Sequence, residues 1–165
     1  MKKIITLLAV IGMFSLQGCT TDVDTDTDTI STVFENKNLY NFTSSNDYKV
    51  KFIFPYSIVS SDMVLVYRLS GTTNGNDIWE FLPETHYFPD GTRDFSFNFD
   101  FTRNDVQIYL EGNNLASVNP EFRLDQIFRI VVIPANLVYG LDKNNYNKVI
   151  STLNIKESQI QKINF

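Results

Sequence analysis

Cysteine is nearly absent: Cys19 is the only one in the chain. That excludes internal disulfides and thiolate metal clusters, so stability has to come from an ordinary apolar core. Histidine is as scarce, which leaves His86 as the one side chain that titrates near neutral pH unaided. Glycine is sparse, and no G-x-G-x-x-G follows a strand pattern, so a dinucleotide-binding turn is excluded. Positive charge is in deficit, with 14 Lys and Arg against 19 Asp and Glu. The resulting net charge of −5 is the wrong sign for nucleic-acid binding. Beyond residue 16 no run approaches the roughly 20 apolar residues of a spanning helix.

What is present begins with an address. Lys2 and Lys3 precede a short apolar stretch, Ile4 to Leu16, too short to span a bilayer comfortably. It closes on Leu16-Gln17-Gly18-Cys19. This resembles the lipobox of bacterial lipoprotein signal peptides. The resemblance implies a diacylglyceryl group on the Cys19 thiol, cleavage before it, and an acylated new amino terminus. The competing reading is an ordinary secretory signal with Cys19 beside the cut. Two or more acyl chains anchor stably, so the expectation is a protein held on a membrane without spanning it. Removing residues 1–18 takes away Lys2 and Lys3 and no acid, which moves the net charge from −5 to about −7. That charge argues against adhesion of the folded part to anionic lipid.

Residues 19–29 carry the lipidation site and an acidic tether. Thr20 to Thr29 has no aromatic residue and one apolar one, Val23, so it cannot form a core. Fully extended, its ten residues reach about 33 Å, enough to lift a domain clear of the headgroups. Asp24, Asp26 and Asp28 match positions 1, 3 and 5 of an EF-hand-like calcium loop, with Glu35 at position 12. Position 6 is Thr29 where the sharp turn wants Gly, and the lipid anchor leaves no room for an incoming helix. A solvated, self-repelling spacer is the better reading. "CTTDVDTD" also resembles the acidic export signal of flavobacterial surface lipoproteins, which implies an outer-membrane and surface location. Asp28-Thr29-Ile30 resembles an O-glycosylation acceptor used in Bacteroidota, with Thr29 as the acceptor. Asn41-Phe42-Thr43 matches the N-glycosylation triplet and reads instead as strand or turn.

From Ile30 to Phe165 the composition turns aromatic and β-branched, with turn signals at short intervals. "RDFSFNFDF" (93–101) puts Phe95, Phe97, Phe99 and Phe101 on one face and polar residues on the other. That alternation marks an antiparallel sheet with one wet face. "DMVLVYRL" (62–69) and "QIFRIVVIP" (126–134) are apolar on both faces, as inner strands are. "IWEFLPETHYF" (78–88) is strand-like, with Pro83 forcing a bulge or an edge. One helix is predicted late in the chain, capped by Asp142, with Tyr146, Val149, Ile150 and Leu153 on one face. The sum predicts a mainly all-β domain: a two-sheet antiparallel β-sandwich, immunoglobulin-like in outline, with one short C-terminal helix.

Four stretches taken together, "DMVLVYRLSG", "NDIWEFLPETHYF", "FNFDFTRNDVQIYLEG" and "QIFRIVVIPANL", resemble a family of small lipoproteins of Bacteroidota, especially flavobacteria. The resemblance covers most of residues 48–163. Many members of that family carry a collagen-like Gly-X-Y segment after the lipid cysteine. Here "TTDVDTDTDT" stands in its place without glycine or proline, so nothing collagen-like carries over. The resemblance brings no assigned activity.

Two constellations remain. Glu84 and His86 share a strand face and could shuttle protons as a carbohydrate-active or other hydrolase would need. Residues at i and i+2 are also what any sheet surface offers, and no nucleophile elbow or second ligand cluster accompanies them. Trp79, Tyr87, Tyr109 and Tyr139 could stack on sugars or grip a partner, although large aromatics in a disulfide-free sandwich belong mostly to the core. Loops 71–77 and 112–119 are the contact sites expected from location. The expectation is a non-enzymatic binding or accessory module of the cell envelope. It would need no cofactor and would meet the membrane through Cys19 and an envelope protein or glycan as partner.

Overall fold

The computed structural model describes residues 30–163. The targeting segment, Cys19, Asp24, Asp26, Asp28 and Thr29 lie outside those residues. The described chain forms strands β1 (Thr32–Asn36), β2 (Lys49–Ile53), β3 (Met63–Thr73), β4 (Asn76–Phe81), β5 (Glu84–Tyr87), β6 (Arg93–Phe101), β7 (Asp105–Gly112), β8 (Phe128–Ile133) and β9 (Gln161–Ile163). Two short helices, α1 (Pro120–Arg123) and α2 (Tyr146–Thr152), complete it. The strands make a five-stranded sheet, β4-β3-β8-β1-β9, and a four-stranded sheet, β2-β7-β6-β5. The fold is a β-sandwich. Every pairing is antiparallel except β1 with β9, which run parallel. An immunoglobulin domain keeps its first strand at a sheet edge. Here β1 lies inside its sheet, between β8 and β9.

The two doubly apolar stretches are the inner strands β3 and β8, and the structure shows what each face meets. Val64 and Val66 of β3, with Phe128, Ile130 and Val132 of β8, point between the sheets against Phe52, Phe95, Phe97, Val106 and Ile108. Leu65, Tyr67, Val131 and Ile133 point the other way, into a second core roofed by Tyr146 and Val149 of α2. The large sheet is thus covered on both sides, and all six residues of β8 are buried.

Several expectations need correction. Phe95 and Phe97 are buried as predicted, but Phe99 is half-buried and Phe101 is 43 % exposed. The alternation of β6 outruns the core at that end of the sandwich. Residues 78–88 are two strands in different sheets, divided at the cis Leu82–Pro83 bond. Leu82 N–H donates to Val66 C=O as the last bond on the β4 side, and Pro83 has no N–H to continue the ladder. Helix α2 is capped by Asn145, whose side chain accepts from Lys148 N–H, rather than by Asp142. The sequence also held α1, unread above: Asn119 caps Glu121 N–H and Pro120 occupies the first turn. "TNGN" (73–76) closes the β3–β4 hairpin with Asn74 and Gly75 both at positive φ, as a two-residue primed turn requires. Gly112 is needed for space, because a Cβ there would lie 2.8 Å from the Asp94 carbonyl oxygen.

Candidate functional site

The crossing at Pro83 carries Glu84 to the edge strand β5 of the small sheet, directly against Arg68 on β3 of the large one. The Arg68 guanidinium grips Glu84 with both arms, Nε to Oε2 at 2.8 Å and Nη2 to Oε1 at 2.7 Å. Its remaining arm donates to the Leu69 carbonyl and to Gln126 Oε1, each at 3.4 Å. Arg68 is 4 % exposed, with its flat face over the Phe97 ring. A buried guanidinium survives there because its charge is matched in a planar fork and its face by an aromatic quadrupole.

His86 completes the cluster. Its ring stacks on Phe95 at 4.5 Å and 9° and touches Phe122 of α1. His86 Nε2 is 2.8 Å from Glu84 Oε1, a close approach without the alignment of a hydrogen bond. Burial alone would raise the Glu84 carboxyl, but His86 and the Arg68 fork overcome it and hold Glu84 at about 2. The sequence pair is therefore real in space, yet its carboxylate is locked by an arginine. A carboxylate so stabilised is a weak proton acceptor near neutral pH. Glu80 of β4 and Glu84 of β5 stand in different sheets, although they lie four residues apart in one strand-like run.

Two clefts open at this end of the sandwich. One, of about 550 Å³, is lined by Arg68, Ser70, Pro120, Glu121, Asp125 and Gln126. The other, of about 450 Å³, is lined by Arg93, Asp94, Glu111, Asn113 and Leu115. Beside it, on the outer face of the small sheet, Arg93 and Asn98 both donate to the buried Ser96 hydroxyl and reach Glu111.

The four candidate aromatics separate. Trp79 is 8 % exposed, packed on Tyr146 and under the Arg129 guanidinium, so it is a core residue and no contact platform. Tyr109 is half-buried, opposite Asn98 and Lys49 on the outer face of the small sheet. Tyr87 is exposed on β5, and Tyr139 is 99 % exposed in the loop after β8. Residues 71–77 are mostly the β3–β4 hairpin, and 112–119 contain a 3-10 turn at Leu115–Ser117. Asn41 uses its side chain to accept from Asp125 N–H, and its neighbour Phe42 is buried in the core.

Glu35 sits in β1 with both oxygens engaged, Oε2 by Arg129 Nε at 2.7 Å and Oε1 by Lys162 Nζ at 3.0 Å. The residue matched to the twelfth position of a calcium loop thus already balances its charge inside the fold. Arg129 also bonds the Tyr146 hydroxyl at 2.6 Å and pairs with Glu157. Burial opposes the Arg129 charge; Glu35, Tyr146 and Glu157 more than offset this and raise its pKa. Burial pushes the Tyr146 hydroxyl up to about 12.

Both arginines were missed in the sequence reading. The signal was there in "VLVYRLS" and "IFRIVVI": an arginine within a run apolar on both faces must find a carboxylate. Among the described residues, no group of three or more His, Cys, Asp or Glu side chains is placed to hold a metal ion. No described helix is long and apolar enough to cross a membrane. Comparison of the chain with protein-family models, curated proteins and solved structures gives no match.

Proposed function

We propose that the chain is a lipid-anchored lipoprotein of the outer membrane whose sandwich acts as a non-enzymatic binding or accessory module. The observation that carries the non-enzymatic part is the Arg68 fork on Glu84. It spends the one carboxylate beside the one histidine on holding the two sheets together. "LQGC" supports the anchor, with Cys19 as the acylated residue. The polar clefts around Gln126 and Glu111 are the contact end, suited to an envelope protein or a glycan through hydrogen bonds.

Two measurements test this reading. Mass analysis of the membrane-extracted protein should show acyl chains on Cys19, and Cys19→Ser should move the protein out of the membrane fraction. Cross-linking in membranes through a photoreactive group at Glu121 should capture one stoichiometric partner; capture of none, with a hydrolytic activity lost in His86→Ala at unchanged stability, would sink the binding role in favour of a hydrolase.

A further inference from the structure

The end of the sandwich opposite the polar clefts has a different surface. Ile30, the first described residue, is exposed there, and the chain from Cys19 enters at that point. Beside it stand Tyr56 and Val59 from the β2–β3 loop, both exposed. Phe101 at the end of β6 is exposed at the same end. An apolar groove of about 510 Å³ runs among Ile30, Tyr56, Ile58, Val59, Val132 and Pro134. A second, of about 390 Å³, opens nearby between Met63, Phe81, Pro83 and Phe101, and Asp62 borders both. Single exposed apolar residues are ordinary, but Ile30, Tyr56 and Val59 line one groove at the entry point of the chain.

We infer that this end is a lipid-contacting surface that rests on the bilayer beside the anchor. The inference builds on the lipid-anchor reading above. Ten residues separate Cys19 from Ile30. A linker that short holds the domain at an effective concentration on the order of millimolar near the membrane. Even a weak apolar attraction is then enough to keep this end down. The residue types suit an interface: aliphatic side chains to enter the acyl boundary, and Tyr56 with an apolar body and a polar tip for the headgroup level. The occupant is a neutral lipid surface, since the mature chain carries about −7 and is repelled by anionic headgroups. The polar clefts in this view point to solution.

The lone cysteine makes the test clean, because acylation of Cys19 leaves an introduced thiol as the only one free. Tyr56→Cys and Tyr87→Cys chains, acylated, carrying a nitroxide and reconstituted in phosphatidylcholine vesicles, are compared for collision with oxygen and with a nickel chelate. The label at 56 should favour oxygen several-fold over that at 87. Equal, water-like accessibility at both sites overturns the inference. Shelter at 56 that persists in detergent without bilayer points to a protein partner and overturns it as well. A parallel arm keeps the anchor reading separate: the unacylated Cys19→Ser chain should float weakly with phosphatidylcholine vesicles. Its binding should drop about tenfold in Ile30→Ser/Val59→Ser, and fall further when anionic lipid is added. Both residues are exposed, so the melting temperature should not move. Equal flotation of parent and variant, or none by either, sinks the inference even if Cys19 proves acylated.

Discussion

Arg68 and Arg129 are near neighbours on adjacent strands, since Tyr67 faces Arg129 and Arg68 faces Phe128 in the β3–β8 register. Both are 4 % exposed. One residue of offset sends them to opposite faces of the large sheet, and they end up doing different jobs. Arg68 points between the sheets and bolts β3 to β5 through Glu84. Arg129 points outward and gathers β1, α2 and the segment before β9 through Glu35, Tyr146 and Glu157. The carboxylates differ too. Glu84 and Glu35 are largely sheltered, whereas the Glu157 side chain is 72 % exposed. Burial of the partner, more than the presence of an ion pair, decides what each contact is worth.

This contrast can be broken at four points, in falling order of effect. Arg129→Leu leaves Glu35 sheltered with only Lys162 for company, and should cost about 3–5 kcal/mol in urea unfolding. A loss below about 1 kcal/mol would mean the outer cluster is ornamental. Arg68→Leu should cost about 3 kcal/mol, and Arg68→Leu/Glu84→Leu should recover most of that, because removing both members leaves no unpaired charge. If the double variant is no better than the single, the fork is doing more than balancing charge. The third test is pH. The Glu84 carboxyl titrates at about 2 in the fold against an ordinary 4.5. Its stabilisation is complete above pH 4.5 and fades as pH falls toward 2. Allowing for its partly wet position, the loss is about 2 kcal/mol in the parent and should be missing in Glu84→Gln. The smallest effect belongs to Glu157→Gln, which should change stability by less than about 1 kcal/mol and depend on salt.

The same geometry explains what could be read from the sequence. Period-two alternation in "RDFSFNFDF" depends only on neighbours along the chain, so the strand was legible; the exposure of Phe101 depends on where the opposite sheet stops, and was not. Runs apolar on both faces announced β3 and β8 as inner strands. They did not say that one cover is a sheet and the other is helix α2. The Glu84–His86 proximity was legible because it is local. Its meaning was not, because Arg68 joins only after the chain crosses between sheets, and Glu35 and Arg129 are separated by 94 residues. Trp79 stayed open between contact and core for a similar reason: the helix that covers it, bearing Tyr146, comes from late in the chain.

The parallel pairing of β9 with β1 has a mechanical side. β1 starts at the end where the chain from Cys19 enters, and β9 runs beside it in the same direction, with Phe34 opposite Gln161 and Asn36 opposite Ile163. The last described strand therefore finishes at the far end of the sandwich. A pull applied between Ile30 and Ile163 loads the β1–β9 ladder along the strands, in shear. Its bonds resist together rather than peeling one after another, so even the three-residue β9 opposes such a pull along its whole length.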